Sequence, residues 1–304
     1  MSLVVIGTVA FDAIETPFGK TDKIVGGSAS YAGLSASYFY DKVKIVAVVG
    51  DDFHQSEIDD FNAHGINTEG LQIKKGEKSF FWAGKYHNDM NSRDTLVTDL
   101  NVLADFDPII PDSYQDCEYL MLGNLTPQVQ QTVIKRLTRR PKLIVMDTMN
   151  FWMNIALDDL LDTLKMVDVL TINDEEARQL SGEYSLVKAA AKILTMGPKY
   201  LVIKKGEHGA LLFDKDSVFA TPALPLAEVF DPTGAGDTFA GGFIGYLAKV
   251  GSINFNNMKN ALIYGSALAS FCVEKFGPER IKNLTKEEIA ERVQQFVKLS
   301  KFEL

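Results

Sequence analysis

The sequence predicts an α/β protein with a three-layer α/β/α core, a mostly parallel central sheet and a small second β-sheet. The first observation is a globular composition, since 46% of the 304 residues are hydrophobic. The second is that short runs of Val, Ile and Leu alternate with segments of helical spacing, which is typical of a parallel sheet covered on both faces. The third is a region rich in aromatic residues, Gly and Asn that departs from this alternation.

Buried strands are predicted for the apolar runs bounded by Gly, Asp or Asn, which are residues 3–7, 44–49, 119–122, 143–146, 167–172 and 200–203. Helical spacing predicts helices at residues 28–40, 53–64, 127–139, 157–164 and 186–196. Three more helices follow, at 238–249, 257–273 and 285–299, and the last opens with a capping box from Thr285 to Glu288. We expect one domain over residues 1–304, because no linker, repeat or low-complexity tract divides the chain.

Two segments do not fit the strand and helix alternation, at about residues 13–25 and 71–98. Their Thr, Val and aromatic residues, interrupted by Gly and Asn, predict short antiparallel strands that pair into a small β lobe over the sheet. The aromatic residues of this lobe face a ligand or a partner subunit, or they pack within or between the sheets. Packing is the favoured reading, because large apolar side chains are usually buried. The residues concerned are Phe80, Phe81, Trp82 and Tyr86.

The charge and the cysteine content indicate a small-molecule partner and a reducing compartment. With 31 basic and 40 acidic residues, the net charge of −9 disfavours nonspecific binding to nucleic acid or to anionic membranes. Cys117 and Cys272 stand alone, and four His residues leave little for a zinc site. No basic leader and no apolar run of membrane-spanning length is present. We therefore expect a cytoplasmic protein.

The stretch "DPTGAGDTFAGG" at residues 231–242 raises the question of an anion site. It is not a P-loop, which needs Lys and Ser or Thr after its second Gly, and Phe239 occupies the third Gly position of a dinucleotide fingerprint. A glycine-rich backbone that leads into a helix N-terminus still favours an anion. Asp237 then has two readings. It caps the helix, or it is a base that accepts a proton from an attacking hydroxyl.

The longer stretch "DPTGAGDTFAGGF" resembles the C-terminal signature of the ribokinase-like (PfkB) carbohydrate kinases. The segment "GGSASYAGLSASYF" from Gly26 matches a second family element, and "NDEE" and "KKGEHGA" agree in order, so the resemblance covers nearly the whole chain. It implies ATP-dependent transfer of the γ-phosphoryl group to a hydroxyl of a sugar or sugar-like molecule. It also implies that Asp237 is the base, that the amides of Gly234, Ala235 and Gly236 form an anion hole, and that the β lobe is a lid.

The resemblance assigns the other matched positions as well. Asn173 and Glu176 would orient Mg²⁺ through water, and the alternative is a helix cap. Asp12, at the end of the first strand, would bind acceptor hydroxyls, and the alternative is a turn aspartate. The nucleotide would contact Asn173, Lys204, Lys205, Gly206, Gly209 and Ser266, although residues 204–209 also read as a plain β-turn. The acceptor site would comprise Asp12, Gly26, Gly27 and Tyr31.

Two departures from ribokinase bear on the acceptor. Tyr31 stands where ribokinase has an Asn that contacts the sugar, and Leu125 replaces its Glu, with Asn124 close by. Ribose is therefore doubtful, while phosphoryl transfer is unaffected. Aromatic walls would suit a stacked ring, as in a nucleoside or a modified sugar. The candidates for these walls are Tyr31, Phe81, Trp82, Phe151 and Trp152.

The leading hypothesis on function is a sugar kinase of the ribokinase type. Its closest alternative is a nucleoside kinase on the same fold, and the third hypothesis is a nucleotide-dependent sensor without catalysis. The intact "GAGD" disfavours the sensor, which has no need of a base. The resemblance further suggests a monovalent cation such as K⁺ near Asp231, Thr233 and the loop 274–279. Exposed lid edges suggest a homodimer through the lid.

Overall fold

The computed structural model describes residues 2–301 and residue 303. Within these residues, nine strands form the main sheet. In spatial order they are β14 (Val218–Thr221), β13 (Ala210–Phe213), β12 (Tyr200–Lys204), β11 (Val169–Asn173), β10 (Leu143–Asp147), β9 (Tyr119–Leu122), β1 (Leu3–Ile6), β5 (Val43–Gly50) and β6 (Ile66–Lys74). The strands from β12 to β6 are parallel, and β13 and β14 are antiparallel additions at one edge.

Helices cover both faces of this sheet. One face carries α1 (Ser28–Ser37), α2 (Gln55–Ala63), α8 (Ala235–Val250), α9 (Phe255–Cys272), α10 (Glu279–Lys282) and α11 (Lys286–Ser300). The other carries α3 (Pro127–Arg136), α4 (Asn150–Ile155), α5 (Leu157–Leu164), α6 (Asp174–Ser181) and α7 (Leu186–Leu194). The predicted three-layer fold with a mostly parallel sheet is confirmed.

Strand β1 shows why continuous apolar runs form the centre of the sheet. Leu3 and Val5 belong to the apolar core on one face, and Val4 and Ile6 belong to the core on the other. Successive side chains of a strand point to opposite faces, so a strand buried on both sides needs an apolar residue at every position. The predicted capping box of the last helix is also present, since Thr285 Oγ1 accepts from the Glu288 N–H at 3.1 Å.

A smaller sheet of five strands, here called the lid, lies apart from the main sheet within the described residues. Its strands are β2 (Ala10–Thr16), β3 (Gly19–Lys20), β4 (Ile24–Gly26), β7 (Phe80–Tyr86) and β8 (Arg93–Asp99). The second predicted lid segment began at residue 71, but residues 71–74 complete β6 and pair with β5. Because β6 is an edge strand that mixes exposed and buried side chains, its sequence resembles a strand of a half-exposed antiparallel sheet.

Short 3₁₀ turns at Asn101–Leu103, Asp112–Tyr114 and Gly206–His208 complete the described structure. None of its helices combines the length and the apolar character needed to cross a membrane. Cys117 and Cys272 are buried free thiols, and burial raises the pKa of each to about 12. Neither cysteine is therefore ionised near neutral pH.

Candidate active site

The candidate site lies at the carboxyl edge of the main sheet, where three neighbouring parallel strands end in polar residues. Strand β10 ends at Asp147, β11 at Asn173 and β12 at Lys204. The Lys204 amino group donates to Asp147 Oδ2 at 2.7 Å, and this ion pair is largely shielded from solvent. This edge is where open α/β sheets bind their ligands.

The residues 232–236, called the anion loop below, place the start of α8 beside Lys204. Gly234 is the N-cap in the left-handed conformation, with φ of 74°, and a Cβ built there would lie 2.4 Å from the ring of Tyr31. Only glycine meets both conditions. Among the amides expected to form the anion hole, the Ala235 N–H already donates to the Pro232 carbonyl oxygen at 3.2 Å. Gly234 and Gly236 are therefore the better-placed donors.

Asp237 lies half-buried in the first turn of α8. Burial and the negative charge of Asp147 raise the pKa of Asp237 to about 7, and the positive charges of Lys204 and Arg93 oppose this rise. The Lys204 amino group is 3.1 Å from a Cβ built on Gly236. Burial lowers the pKa of Lys204, but Asp147 and Glu176 raise it more, so this lysine stays charged. A carboxyl that titrates near neutrality beside a fixed cation suits general base catalysis.

Asn173 and Glu176 form a capping box at the start of α6. Asn173 Oδ1 accepts from the Glu176 N–H, and Glu176 Oε2 accepts from the Asn173 N–H, each at 2.8 Å. The cap reading of this pair is therefore confirmed. Burial raises the pKa of Glu176 to about 7, with Lys204 lowering it and Asp147 raising it. The cap occupies one oxygen of the Glu176 carboxyl.

The donor set at this edge fits a metal that is held largely by other ligands. No cluster of three or more His, Cys, Asp or Glu residues able to hold a metal ion exists in the part of the chain that the structure describes. Mg²⁺ in kinases keeps several waters and takes one or two carboxylates together with substrate phosphates. Glu176, buried near Asp147 and Lys204, is compatible with that mode and not with a cage built by the protein alone.

The turn between β12 and β13 is a tight hairpin. The Lys205 N–H donates to the Gly209 carbonyl oxygen at 2.8 Å, so residues 204–209 do form a turn, although it contains a 3₁₀ turn at Gly206–His208 and is not the plain β-turn of the alternative reading. Gly206 faces the lid, because a Cβ built there would lie 2.8 Å from Asn91 Oδ1. Ser266 is half-buried on α9, a helix that contacts β13 and β14.

Asp12 lies in the middle of β2 in the lid rather than at the end of the first strand. Strand β1 stops at Ile6, and a bend at Gly7 separates it from β2. The Asp12 carboxyl packs on Gly26, where a Cβ would come within 1.9 Å of Oδ2, and the nearby Gly27 amide lowers its pKa. Burial, with the charges of Asp231 and Asp237, raises the pKa of Asp12 to about 7.

The two positions that depart from ribokinase have different surroundings. Tyr31 is 1% exposed, and its hydroxyl has no hydrogen-bond partner among the described residues. Burial raises the pKa of Tyr31, and Cys272, Asp12, Asp231 and Asp237 add to the effect. Leu125 is buried in the apolar core on the face of the sheet that carries α3 to α7. Asn124 instead accepts from Trp152 Nε1 at 2.8 Å.

The comparison with known sequences decides the family. The pattern of the pfkB family carbohydrate kinases matches residues 2–284. The chain belongs to the pfkB family.

One relative in this family is the cytidine kinase of Thermococcus kodakarensis, 33% identical over 249 residues, which are 80% of this chain and 87% of that protein. Two solved structures share the fold. The nucleoside kinase of Methanocaldococcus jannaschii has a TM-score of 0.77 at 20% identity, over 97% of this chain and 99% of its own. A candidate ribokinase II of E. coli, in complex with ATP and Mg²⁺, has a TM-score of 0.78 at 19% identity, over 97% and 99%.

The structure of this pfkB-family kinase adds candidate site residues that the sequence did not indicate. Asp147 is one, and its signal was available, since it is an acid that directly follows a buried strand. The others lie on the lid. Trp82 is the register partner of Asp12, and Arg93 is the register partner of Tyr86. Nothing in their local sequence marks these lid residues, because it is the folding of the lid over α8 that brings them to the site.

These residues define an inner face of the lid, which carries Asp12, Trp82, Gly84, Tyr86 and Arg93. The Trp82 ring lies across Gly84, where a Cβ would come within 2.1 Å of it. The hydroxyls of Tyr86 and Thr233 are hydrogen-bonded at 3.2 Å, which joins the lid to the anion loop. The aromatic residues were expected mainly to pack within or between sheets. Tyr86 is 5% exposed in agreement, and Trp82 is only half-buried.

Proposed function

We propose that this protein is an ATP-dependent kinase that phosphorylates a hydroxyl group of a nucleoside, with Asp237 as the general base. One observation carries the proposal. The first turn of α8 presents Asp237 next to the anion loop, with Lys204 on one side and Asp12 close enough for its pKa to be raised by the Asp237 charge. An acid, an anion site and a hydroxyl-binding acid thus meet in one place.

A weak base such as a carboxylate is sufficient for this reaction. In a loose phosphoryl-transfer transition state the attacking hydroxyl becomes acidic only as its oxygen bonds to phosphorus. A carboxylate with a pKa of about 7 then accepts the proton, while the amides of Gly234 and Gly236 and the α8 dipole stabilise the phosphoryl charge. Lys204 keeps a positive charge at the same point. The amide of Ala235 contributes once its turn bond to Pro232 lengthens.

Mg²⁺ would bind through water to Glu176 and Asn173, and when bound it neutralises phosphate charge. The nucleotide would lie along the β12–β13 turn and contact Lys204, Lys205, Gly206 and Gly209. Ser266 would lie beside the adenine ring of the nucleotide. The narrow turn supports this, because glycines at 206 and 209 keep side chains out of that surface.

A nucleoside is preferred over a free sugar on two grounds. Asp12 and Gly27 would bind acceptor hydroxyls, and Trp82, the register partner of Asp12, offers a ring for a base to stack on. The relative with 33% identity is a cytidine kinase. Tyr31 would border the acceptor site through its ring, which packs on Gly234.

The test is a panel of nucleosides, pentoses, hexoses and inositols with ATP and Mg²⁺, in which ADP release and product mass are followed. We expect turnover with one or more nucleosides at a kcat/KM at least about tenfold above that of any free sugar. Turnover confined to sugars would replace the nucleoside by a sugar and keep Asp237 as base. Absence of turnover on all acceptors, with ATP still bound, would instead support the nucleotide-dependent sensor.

We also propose a K⁺ site where residues 230–233 meet the loop 274–279. Asp231 supports it by joining these segments, since its carboxyl accepts from the Thr233 and Gly277 N–H groups, each at 2.8 Å. Backbone carbonyl oxygens of the two segments that Asp231 joins would be the cation ligands. Activity in K⁺ should exceed activity in a bulky cation such as tetramethylammonium, and equal rates would remove the site.

We also propose that the protein forms a homodimer through the lid. Strand β8 is the edge strand of the lid sheet, every residue of it is exposed, and Leu96 is 58% exposed. An exposed edge of this kind pairs readily with another chain. Light scattering should give twice the chain mass, and Leu96→Asp should shift it toward the monomer. A monomeric mass at micromolar concentration would contradict the proposal.

A further inference from the structure

The β7–β8 hairpin of the lid reaches the site at two points. The Tyr86 hydroxyl is hydrogen-bonded to Thr233 in the anion loop, and Asn91, in the turn of the hairpin, lies against Gly206 in the turn between β12 and β13. The inner face of this hairpin therefore lies over the space between the two loops. A phosphoryl group that moves from a nucleotide on Gly206 to an acceptor near Asp237 would pass beneath it.

Arg93 is placed on that inner face. It is the register partner of Tyr86 in the antiparallel pair, so both side chains project on the same side. Its guanidinium lies 5.8 Å from the centre of the Trp82 ring. The neighbouring Lys85 projects to the opposite side and pairs with Glu15 at 2.6 Å. No salt bridge within the described residues includes Arg93, so its charge has no carboxylate partner there.

The site needs a further positive charge. Asp12, Asp147, Glu176 and Asp237 lie around it, and Lys204 is already paired with Asp147. The charge of Arg93 is felt at the site, because it lowers the pKa of both Asp237 and Glu176. A guanidinium forms two parallel hydrogen bonds to phosphate oxygens, which suits a planar phosphoryl group in transfer.

We propose that Arg93 binds the non-bridging oxygens of the transferred phosphoryl group when the lid closes over both substrates. This inference rests on the proposed kinase function. The acceptor hydroxyl oxygen bonds to the γ-phosphorus, the bond from that phosphorus to the β–γ bridging oxygen breaks, the hydroxyl proton passes to Asp237, and ADP leaves. Arg93 stabilises the charge on the phosphoryl group during this step, and the bond between Tyr86 and Thr233 fixes the hairpin in position.

The test compares Arg93→Ala and Arg93→Lys with Lys85→Gln, which removes a charge from the other face of the same hairpin. The acceptor is whichever compound the wild type phosphorylates. We expect Arg93→Ala to lower kcat by about 10²-fold to 10³-fold, the loss typical of one transition-state donor, and to change the KM values by less than about threefold. Lys at 93 should restore part of kcat, guanidinium chloride should partly rescue the Ala variant, and Lys85→Gln should match the wild type.

A binding measurement provides the second readout. ADP, Mg²⁺ and aluminium fluoride mimic the planar phosphoryl group, so in the presence of acceptor the Arg93→Ala variant should bind this mixture at least about tenfold more weakly while it binds ADP alone as the wild type does. Equal affinity for the mimic, a kcat within about threefold of the wild type, or an equal loss in Lys85→Gln would overturn the role of Arg93. Failure of the kinase function shows itself separately, as no turnover by the wild type.

Discussion

Replacing Asp237 by Asn tests two separate effects of this carboxyl, its role as a base in catalysis and its effect on the free energy of unfolding. Asn has nearly the same shape but accepts no proton, so we expect nucleotide binding to be kept and kcat to fall by at least about 10²-fold. The charge removed is also an unfavourable one. Burial and Asp147 raise the pKa of Asp237 from 3.8 to about 7, which corresponds to at most about 4 kcal/mol of destabilisation when the carboxyl ionises in the folded chain.

The sign of this effect with pH follows from linkage. Below about pH 4 the carboxyl is protonated in both folded and unfolded chains, and between about pH 4 and pH 7 only the unfolded chain loses the proton, so wild-type stability falls as pH rises through this window. The Asp237→Asn variant lacks this loss. Its advantage in free energy of unfolding should therefore grow by up to about 3 kcal/mol from pH 5 to pH 8.

The assay is urea unfolding of both proteins at the two pH values, together with steady-state kinetics at pH 8. Asp216→Asn, which removes an exposed acid from the turn before β14, is the control and should change neither quantity. Unchanged turnover in Asp237→Asn would refute the base. A stability difference that is independent of pH would refute the raised pKa, even if activity is lost.

Three further predictions follow from the same geometry. The kcat/KM for the acceptor should fall below about pH 7, because Asp237 must be deprotonated to accept a proton and its pKa is raised to about 7; a profile that stays flat down to pH 5 would contradict this. Gly234→Ala should lower the free energy of unfolding by about 1–3 kcal/mol, because φ is 74° and the Tyr31 ring blocks a Cβ, and thermal melting would show whether it does. Gly84→Val should displace the Trp82 ring and raise the acceptor KM by about tenfold with little change in the ATP KM; equal KM values would mean that Trp82 does not contact the acceptor.

The sequence was most informative where local pattern decides structure. The alternation of apolar runs and helical segments predicts the three-layer core, because a strand such as β1 must be apolar on both faces to lie at its centre. The capping boxes at Asn173 and Thr285 are likewise set by residues three apart in the chain. The start of the lid was misplaced because β6 is an edge strand whose side chains are partly exposed, so its sequence lacks the continuous apolar run of a central strand.

The candidate site was only partly predictable. The anion loop and Asp237 are contiguous in sequence, and Asp147 is an acid at the end of a buried strand. The position of Asp12 in β2 depends on the bend at Gly7, and Arg93 reaches the site only through strand pairing and the fold of the lid. Such long-range placements leave no trace in the spacing of nearby residues.

The carboxyl group of Asp231 has a consequence for local motion. Its two oxygens hold the amides of Thr233 and Gly277, which are far apart in the chain. The Thr233 amide can therefore reach solvent only if the segment before α8 moves. The Gly277 amide can reach solvent only if the loop before α10 moves. Both amides donate to the same side chain, Asp231. Hydrogen exchange at these two positions should accordingly slow down together when a cation or a nucleotide orders either segment, so that a single pair of amides reports on the order of both segments.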